Sequence, residues 1–402
     1  MKNPALKLTL HGMLLQIPYW FGCCMYFAFI VTTLIDYGWS DSAATGAITA
    51  MSVLAMLTQP FFGYLSDKLR SEKKLTIILL ICASLCFLLL PFSLGTGNVI
   101  LVFINMVGIT ISASQVGGLI DAWIVGLKQE YPSVNYGIIR GTGSLAFAVS
   151  AHVAGILTVS FGHDVRLWVG FGSLFITIFV AMSFRAATRN EEENDNESKN
   201  ESSEIKLKGP EAFKLVFSSK QYNLLIAVSF FLLLSNTTML TLNQLLVRDL
   251  GGTAAQMGTV TSIMAASEVP VMFLMAFILK KAGFKKILIF CSVFYVIRML
   301  ITASVGTVEG LMYVQIMQGL TYAILIPLAM SYLSQILDER IRSTAVTTYA
   351  AITVGLTGIL GNLITTALLT TGFSAQAALV VFSFSAVIGF ILALFGILKK
   401  IW

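Results

Sequence analysis

The sequence predicts an all-α integral membrane protein with twelve transmembrane helices, and three observations lead to that prediction. Apolar residues make up 56% of the 402 positions and charged residues only 11%, whereas a soluble domain carries about 25% charged residues. The apolar residues gather into twelve runs, most of them close to the roughly 20 residues that a membrane-spanning helix needs. Charged, Gly, Ser and Asn residues separate these runs.

The boundaries of the predicted spans follow from the positions of these separators. The first run is too long for the core of a cleavable signal peptide, and many similar runs follow it, so we count it as a span. In chain order, we predict spans at residues 10–35, 43–66, 75–95, 98–126, 137–161, 166–184, 221–246, 254–279, 286–305, 307–334, 344–370 and 375–398.

Lys and Arg residues fall almost entirely at one end of these spans. The opposite end receives only Arg166 and Arg248. Because basic loops stay in the cytoplasm, we expect both termini to be cytoplasmic, in the inner membrane of a bacterium. The basic end receives Lys2, Lys7, Lys68, Arg70, Lys73, Lys74, Lys128, the basic residues between spans 6 and 7, Lys280, Lys281, Lys285, Lys286, Arg340, Arg342, Lys399 and Lys400.

One break in composition divides the chain. Residues 190–204 (NEEENDNESKNESSE) are acidic and polar, and such a stretch cannot bury enough apolar surface to fold. We therefore predict a flexible cytoplasmic linker at 187–219 between six-helix bundles at 1–186 and 220–402. A weak repeat supports the division, since GYLSDKLRSEKKL after span 2 is similar to FILKKAGFKKIL after span 8. Two related six-helix halves are typical of transporters.

Four ionisable residues lie inside apolar runs: Asp121, Arg140, Glu268 and Arg298. A charge at the centre of a bilayer costs at least about 2.5–3.5 kcal/mol, so it persists where it is paired or used. At 1.5 Å per residue, Asp121 and Arg140 both lie about 10 Å from the basic end, whereas Glu268 and Arg298 lie about 18 Å from it. Equal depth predicts two pairs, Asp121 with Arg140 and Glu268 with Arg298. The alternative is that each pair is a static ion pair that only holds helices together. Stability alone explains such a pair poorly, because its replacement by hydrophobic residues is often neutral or stabilising.

Other polar and aromatic side chains in the spans suit the lining of a hydrophilic cavity, and each has the alternative role of joining two helices. These residues are Tyr19, Trp20, Tyr26, Gln115, Asn236, Asn243, Gln244, Gln315, Gln318, Tyr322 and Asn362. The sequence contains no nucleotide-binding loop, no carboxylate pair at hydrolase spacing and no metal-ligand spacing among its five cysteines. We expect neither an enzyme nor a metal or organic cofactor, and the net charge of +6 follows the membrane topology rather than nucleic-acid binding.

The segment QPFFGYLSDKL at 59–69 resembles the loop after the second helix in the major facilitator superfamily, in particular its lactose-permease-like oligosaccharide:proton symporters. The resemblance implies a loop with structural and gating roles for Gly63, Asp67 and Lys68. We expect Gly63 to allow close helix packing and Asp67 to face the N-terminal end of another helix, where negative charge is favoured.

A second resemblance lies in spans 4 and 5. Asp121-Ala122-Trp123 is similar to the acid-Ala-aromatic of these symporters, and Arg140 is followed two turns later by an aromatic residue, Phe147. The resemblance implies that the acid and the Arg bind sugar hydroxyls and that the aromatic ring packs on the sugar. The family has Trp where this chain has Phe147. We predict a solute-binding set of Asp121, Arg140, Phe147, Gln115, Trp123, Asn243, Gln318 and Tyr322.

The third resemblance is partial and concerns proton coupling. Arg298 matches a buried Arg of the family, but the Lys, His and Glu of span 10 are replaced here by Gly319, Tyr322 and Leu325. Glu268 is then the acid at the depth of the membrane centre. The coupling machinery is therefore simpler here or absent. We predict Glu268 and Arg298 as the proton-coupling residues, with the proton as coupling ion.

Together these features predict a secondary active transporter that imports a small polar solute, a sugar or glycoside, by proton symport and alternating access. The alternatives are a nucleoside:proton symporter, an exporter of amphipathic compounds or, from another class, a transport-inactive sensor or scaffold. The expected partners are the solute, protons and the lipid bilayer, without nucleic acid, and we expect a functional monomer.

Overall fold

The computed structural model describes residues 4–69, 71–184, 210–337 and 339–402, and the regular structure in these ranges is helical. In chain order the α-helices are α1 Pro4–Phe27, α2 Ile30–Asp36, α3 Asp41–Leu69, α4 Glu72–Gly95, α5 Val99–Glu130, α6 Tyr136–Ser183, α7 Pro210–Ser218, α8 Lys220–Thr237, α9 Met239–Asp249, α10 Ala254–Ala282, α11 Phe284–Ser304, α12 Val308–Gln315, α13 Tyr322–Ile336, α14 Glu339–Ala350, α15 Thr357–Thr370 and α16 Ala375–Leu398.

The predicted spans are confirmed by these helices. Eleven helical stretches of the described residues are long and apolar enough to cross a membrane. One of them, α6, has 48 residues and contains Gly162 at φ 86° and ψ 178°, a backbone that glycine adopts readily. Gly162 divides α6 into predicted spans 5 and 6, so the twelve-helix prediction holds. The protein is a multi-pass membrane protein.

The chain forms two compact units, which differ from the predicted halves at one segment. The first unit contains residues 1–189 and 243–266, and the second contains residues 190–242 and 267–402. The prediction placed residues 243–266 in the second half. The end of α9 and the start of α10 therefore pack with the first unit, which sequence spacing did not indicate.

Within the first unit, α6 packs against the start of α10 with the two backbones in contact. A Cβ on Gly155 would lie 2.5 Å from the carbonyl oxygen of Ala254, and Gly258 faces Ala151 equally closely. Only glycine leaves room for such an approach.

The first predicted span is broken between α1 and α2. Two side chains of the first unit form hydrogen bonds with backbone groups at this break. The Gln244 carbonyl accepts hydrogen bonds from the amides of Val31 and Thr32, at 3.0 and 3.3 Å. Arg166 donates to the carbonyl of Met25 and to Thr33. Arg166 was predicted to lie at the sparsely charged end of the spans, as the first residue of span 6, and its side chain is fully buried there. The reason is that the open carbonyl at the end of a broken helix needs a donor.

The second unit has a buried cluster built around α8, α13 and α14. Val216, Tyr222, Tyr332 and Tyr349 belong to it, and Tyr222 donates its hydroxyl to the carbonyl of Ala345 at 2.7 Å. Val216 lies on α7, inside the predicted linker 187–219. Residues 210–218 of the predicted linker thus form a helix that packs through Val216. Residues 185–209, including the acidic stretch, lie outside the described residues.

The segment 59–69 resembles a loop of the family, and span 2 was predicted to end at residue 66, but α3 continues to Leu69. A Cβ on Gly63 would meet no atom within 4 Å, so the predicted close packing at Gly63 is wrong. Gly63 instead lines a cavity of about 400 Å³ beside Gln59, Ser66 and Glu72. Lys68 is exposed, and the side chain of Asp67 lies outside the described part of the structure.

Candidate functional site

The first candidate cluster surrounds Asp121 and Arg140 in the first unit. Arg140 Nε lies 3.6 Å from Asp121 Oδ2, and the two side chains are 38% and 29% exposed. Gln16, which is fully buried on α1, donates its amide to Asp121 Oδ1 at 3.0 Å. The predicted pair is thus formed, and both charged side chains remain partly exposed.

Two aromatic rings border this pair. The guanidinium carbon of Arg140 lies 4.9 Å from the centre of the Trp20 ring. Trp20 in turn meets Phe147 edge to face, with ring centres 6.3 Å apart and an angle of 71° between the rings. Gly143 provides the space, since a Cβ there would lie 2.5 Å from Trp20 Cδ1. A charged pair and two apolar ring surfaces therefore share one site.

Gln115 and Trp123 do not join this cluster. Gln115 donates to the Ala55 carbonyl and to Thr58 on α3, at 3.3 and 3.1 Å. Trp123 is fully buried, with its ring 4.9 Å from that of Phe184. Because a helix turns by about 100° per residue, positions 115 and 123 point away from the face that carries position 121.

Asn243 is also in the first unit but in different surroundings. It is fully buried, and its amide lies 3.8 Å from the Met264 sulfur. Asn243 therefore contacts α10, one residue before Gln244, which caps the break after α1.

The second candidate cluster surrounds Arg298 on α11. Arg298 is 1% exposed and carries four hydrogen bonds to neutral side chains. It donates to Asn236 at 2.7 Å, to Gln315 at 2.9 Å and to Thr321 at 3.2 Å, and it also donates to the Gln318 carbonyl oxygen. A buried guanidinium needs such partners, because leaving it without hydrogen bonds costs several kcal/mol.

Gln318 connects Arg298 with Glu268. Its amide nitrogen donates to Glu268 Oε1 at 2.8 Å while its carbonyl accepts from Arg298. The predicted pair is thus joined through a bridging amide. Tyr322, another predicted solute-binding residue, is the first residue of α13.

A break in predicted span 10 positions Gln318. After α12 the chain forms a 3₁₀ turn at Ile316–Gln318, and α13 begins only at Tyr322. Ser267 on α10 accepts a hydrogen bond from the amide of Gly319 at 3.1 Å. A Cβ on Gly319 would collide with the Ser267 carbonyl. Gly319 thus permits the close approach that places Gln318 beside Glu268.

Gln16 was not among the predicted site residues. Its signal is weak, a single amide in a long apolar run, but Gln16 precedes Trp20 by four residues and shares its helix face. Of the residues that the structure describes, no group of three His, Cys, Asp or Glu side chains lies in position to hold a metal ion.

Comparison with known proteins decides the family. The model of the MFS_1 like family matches residues 25–382. The chain belongs to the major facilitator superfamily. This superfamily member is 25% identical over 320 residues to the maltose permease of Geobacillus stearothermophilus. The alignment covers 79% of this chain and 76% of the permease.

Two solved structures show the same fold as this superfamily member. A mutant of the nucleoside transporter NupG matches with a TM-score of 0.75 and 17% identity, over 96% of this chain and 98% of that one. A D-xylose-proton symporter matches with a TM-score of 0.69 and 14% identity, over 98% and 97%. The family prediction is confirmed, and the protein is a transporter rather than an enzyme.

Proposed function

We propose that the protein is a proton-coupled symporter that imports a solute containing a sugar ring, by alternating access. The observation that carries the proposal is the half-exposed Asp121–Arg140 pair beside Trp20 and Phe147. A carboxylate accepts hydrogen bonds from hydroxyl groups, and the guanidinium donates to them in a planar fork. The aromatic rings offer apolar surfaces to the C–H face of a sugar.

The coupling element of the proposal is the chain Arg298–Gln318–Glu268. Ionised Glu268 accepts the Gln318 hydrogen bond, and the buried positive charge of Arg298 favours this state. If the contact opens during transport, Glu268 loses that support in an apolar environment and takes up a proton. Proton binding and conformation are then linked through one carboxyl group, without a cofactor.

A disaccharide or glycoside is the first solute candidate, because the similar maltose permease, whose name indicates a disaccharide, aligns with 79% of this chain. A nucleoside is the second candidate. Trp20 and Phe147 present two rings at 71°, and a flat base suits such surfaces as well as a pyranose does. The two candidates share a sugar ring, so the same cluster serves both.

The proposed location is the inner membrane of a bacterium, with both termini in the cytoplasm and the monomer as the functional form. The distribution of Lys and Arg, which lie almost entirely at one end of the spans, supports the cytoplasmic location of the termini.

The experiment is whole-cell uptake of labelled disaccharides, monosaccharides and nucleosides, each with and without a protonophore. We expect one group to accumulate and the protonophore to abolish accumulation. Asp121→Asn and Arg140→Lys should each raise the KM of that solute about tenfold, since a hydrogen bond to a charged group contributes roughly 1.5–3 kcal/mol. The matched control is Glu309→Gln, an exposed acid in the first turn of α12.

Accumulation that survives the protonophore would overturn proton coupling. Efflux of amphipathic compounds without uptake of any solute in the panel would assign the protein to export instead. A protein that inserts normally but moves no compound in either direction would support a sensor or scaffold.

A further inference from the structure

The geometry of the Asp121–Arg140 pair depends on two residues of α1. Gln16 uses both ends of its amide: the carbonyl accepts from Trp20 Nε1 at 2.6 Å and the nitrogen donates to Asp121 Oδ1 at 3.0 Å. Because an indole nitrogen only donates, the Trp20 contact fixes which end of the amide faces the carboxylate. Gln16 is fully buried, so solvent does not compete for these two hydrogen bonds.

Trp20 orients Arg140 in the way that Gln16 orients Asp121. The guanidinium lies over the indole ring at 4.9 Å, a cation–π contact, while Arg140 Nη1 points towards Ser144 Oγ at 3.5 Å. The ring therefore sets the plane of the guanidinium. With Nε turned to Asp121, the remaining N–H groups of Arg140 are available to a solute.

A purely structural role explains less of this arrangement. Helix packing between α1 and α6 needs only the small residues at the crossing, where Gly12 receives Ile139 and Gly22 faces Gly170. An apolar side chain at position 16 would fill the same space without a buried amide. A buried polar chain that ends on a half-exposed carboxylate is instead suited to holding that carboxylate for a ligand.

We infer that Gln16 and Trp20 determine the specificity of the solute site, Gln16 as the positioning residue for Asp121 and Trp20 as the positioning residue for Arg140 and a ring surface for the solute. This inference rests on the proposed function. The solute that fits has two neighbouring hydroxyl groups on one ring edge, for the carboxylate and the guanidinium, and an apolar ring face for Trp20 or Phe147.

The test compares uptake of the best solute of the panel with uptake of its single-deoxy analogues. Wild type, Gln16→Leu, Gln16→Glu, Trp20→Phe and Trp20→Ala are measured, with Gln335→Leu and Trp168→Phe as exposed controls. In wild type, removing the solute hydroxyl that hydrogen-bonds Asp121 should raise KM about tenfold. In Gln16→Leu this penalty should fall to about twofold, because the carboxylate is no longer held, while kcat stays within about twofold.

The other variants separate positioning from packing. Gln16→Glu keeps the size of the side chain but places a second carboxylate beside Asp121. It should therefore not restore the wild-type KM penalty for the deoxy analogue. Trp20→Phe keeps a ring face and loses the donor to Gln16, so its KM should lie between those of wild type and Trp20→Ala. Solute binding should also change the tryptophan fluorescence of wild type and of Trp168→Phe, but not that of Trp20→Phe.

The outcomes distinguish this inference from the proposed function. If wild type takes up no sugar or nucleoside, the proposed function fails, and the inference fails with it. If wild type transports a sugar and Gln16→Leu keeps every deoxy penalty, only the inference is overturned. A variant that does not insert is replaced by Gln16→Met, which keeps the length of the side chain and should give the same loss of discrimination.

Discussion

Arg248 and Asp41 form a bidentate ion pair across 207 residues of sequence, with Nη1–Oδ1 at 2.5 Å and Nη2–Oδ2 at 2.6 Å. The pair joins the end of α9 to the start of α3 inside the first unit. Together with the Gly155–Ala254 approach and the Gln244 cap, it holds residues 243–266 against residues 1–189. In the alternating-access cycle proposed above, this docking belongs to one state and has to open in the other.

The first prediction is that this ion pair sets the balance between the two states. Asp41→Arg and Arg248→Asp should each change the uptake rate by up to about fivefold, since a partly exposed pair contributes about 1 kcal/mol or less. The double exchange restores opposite charges and should recover most of the wild-type rate. A double variant that transports no better than the worse single variant would contradict the role of the pair.

The second prediction concerns Phe147. A sugar packed on an aromatic ring loses roughly 1 kcal/mol of binding when the ring is removed. Phe147→Ala should therefore raise the dissociation constant about fivefold or more, whereas Phe147→Trp should bind about as well as wild type. Calorimetry on purified protein measures both values. Wild-type affinity of Phe147→Ala for every transported solute would limit the ring to packing against Trp20.

The third prediction concerns the amide that links Arg298 with Glu268. Gln318→Leu removes an acceptor from a buried guanidinium and a donor from the carboxylate, so the protein should lose roughly 1–3 kcal/mol of stability. Uphill accumulation of the solute should fall more than solute exchange, because no hydrogen-bonded side chain then links Glu268 to Arg298. Thermal unfolding and the ratio of accumulation to exchange check the two parts. Equal losses of accumulation and exchange would show that Gln318 is only structural.

The fold was predictable from the sequence because each membrane span leaves its own local signal. Apolar runs gave the twelve spans, and Gly162 separates spans 5 and 6 where the runs predicted a boundary. The pairing of Asp121 with Arg140 was also predictable, since rise per residue fixes depth and opposite charges at equal depth attract.

The rest depended on contacts between distant segments. Gln16 meets Asp121 across 105 residues, and nothing in the local pattern around Gln16 indicates that partner. Trp123 follows Asp121 by two residues, yet the turn of the helix buries it against Phe184 while Trp20 takes the place beside Arg140. The Gln318 bridge requires the break before Tyr322, which a run of apolar residues does not reveal.

The central claim is that Glu268 carries the coupled proton, and solute-driven proton uptake into proteoliposomes tests it most directly. Symport requires that the empty and the fully loaded carrier reorient while the half-loaded carrier does not. Glu268→Gln imitates a permanently protonated carboxyl group. It should therefore abolish both solute-driven proton uptake and uphill accumulation, and leave exchange at least partly intact, whereas Glu309→Gln should behave as wild type. Proton uptake by Glu268→Gln at the wild-type stoichiometry would contradict the claim and make Asp121 the next residue to test.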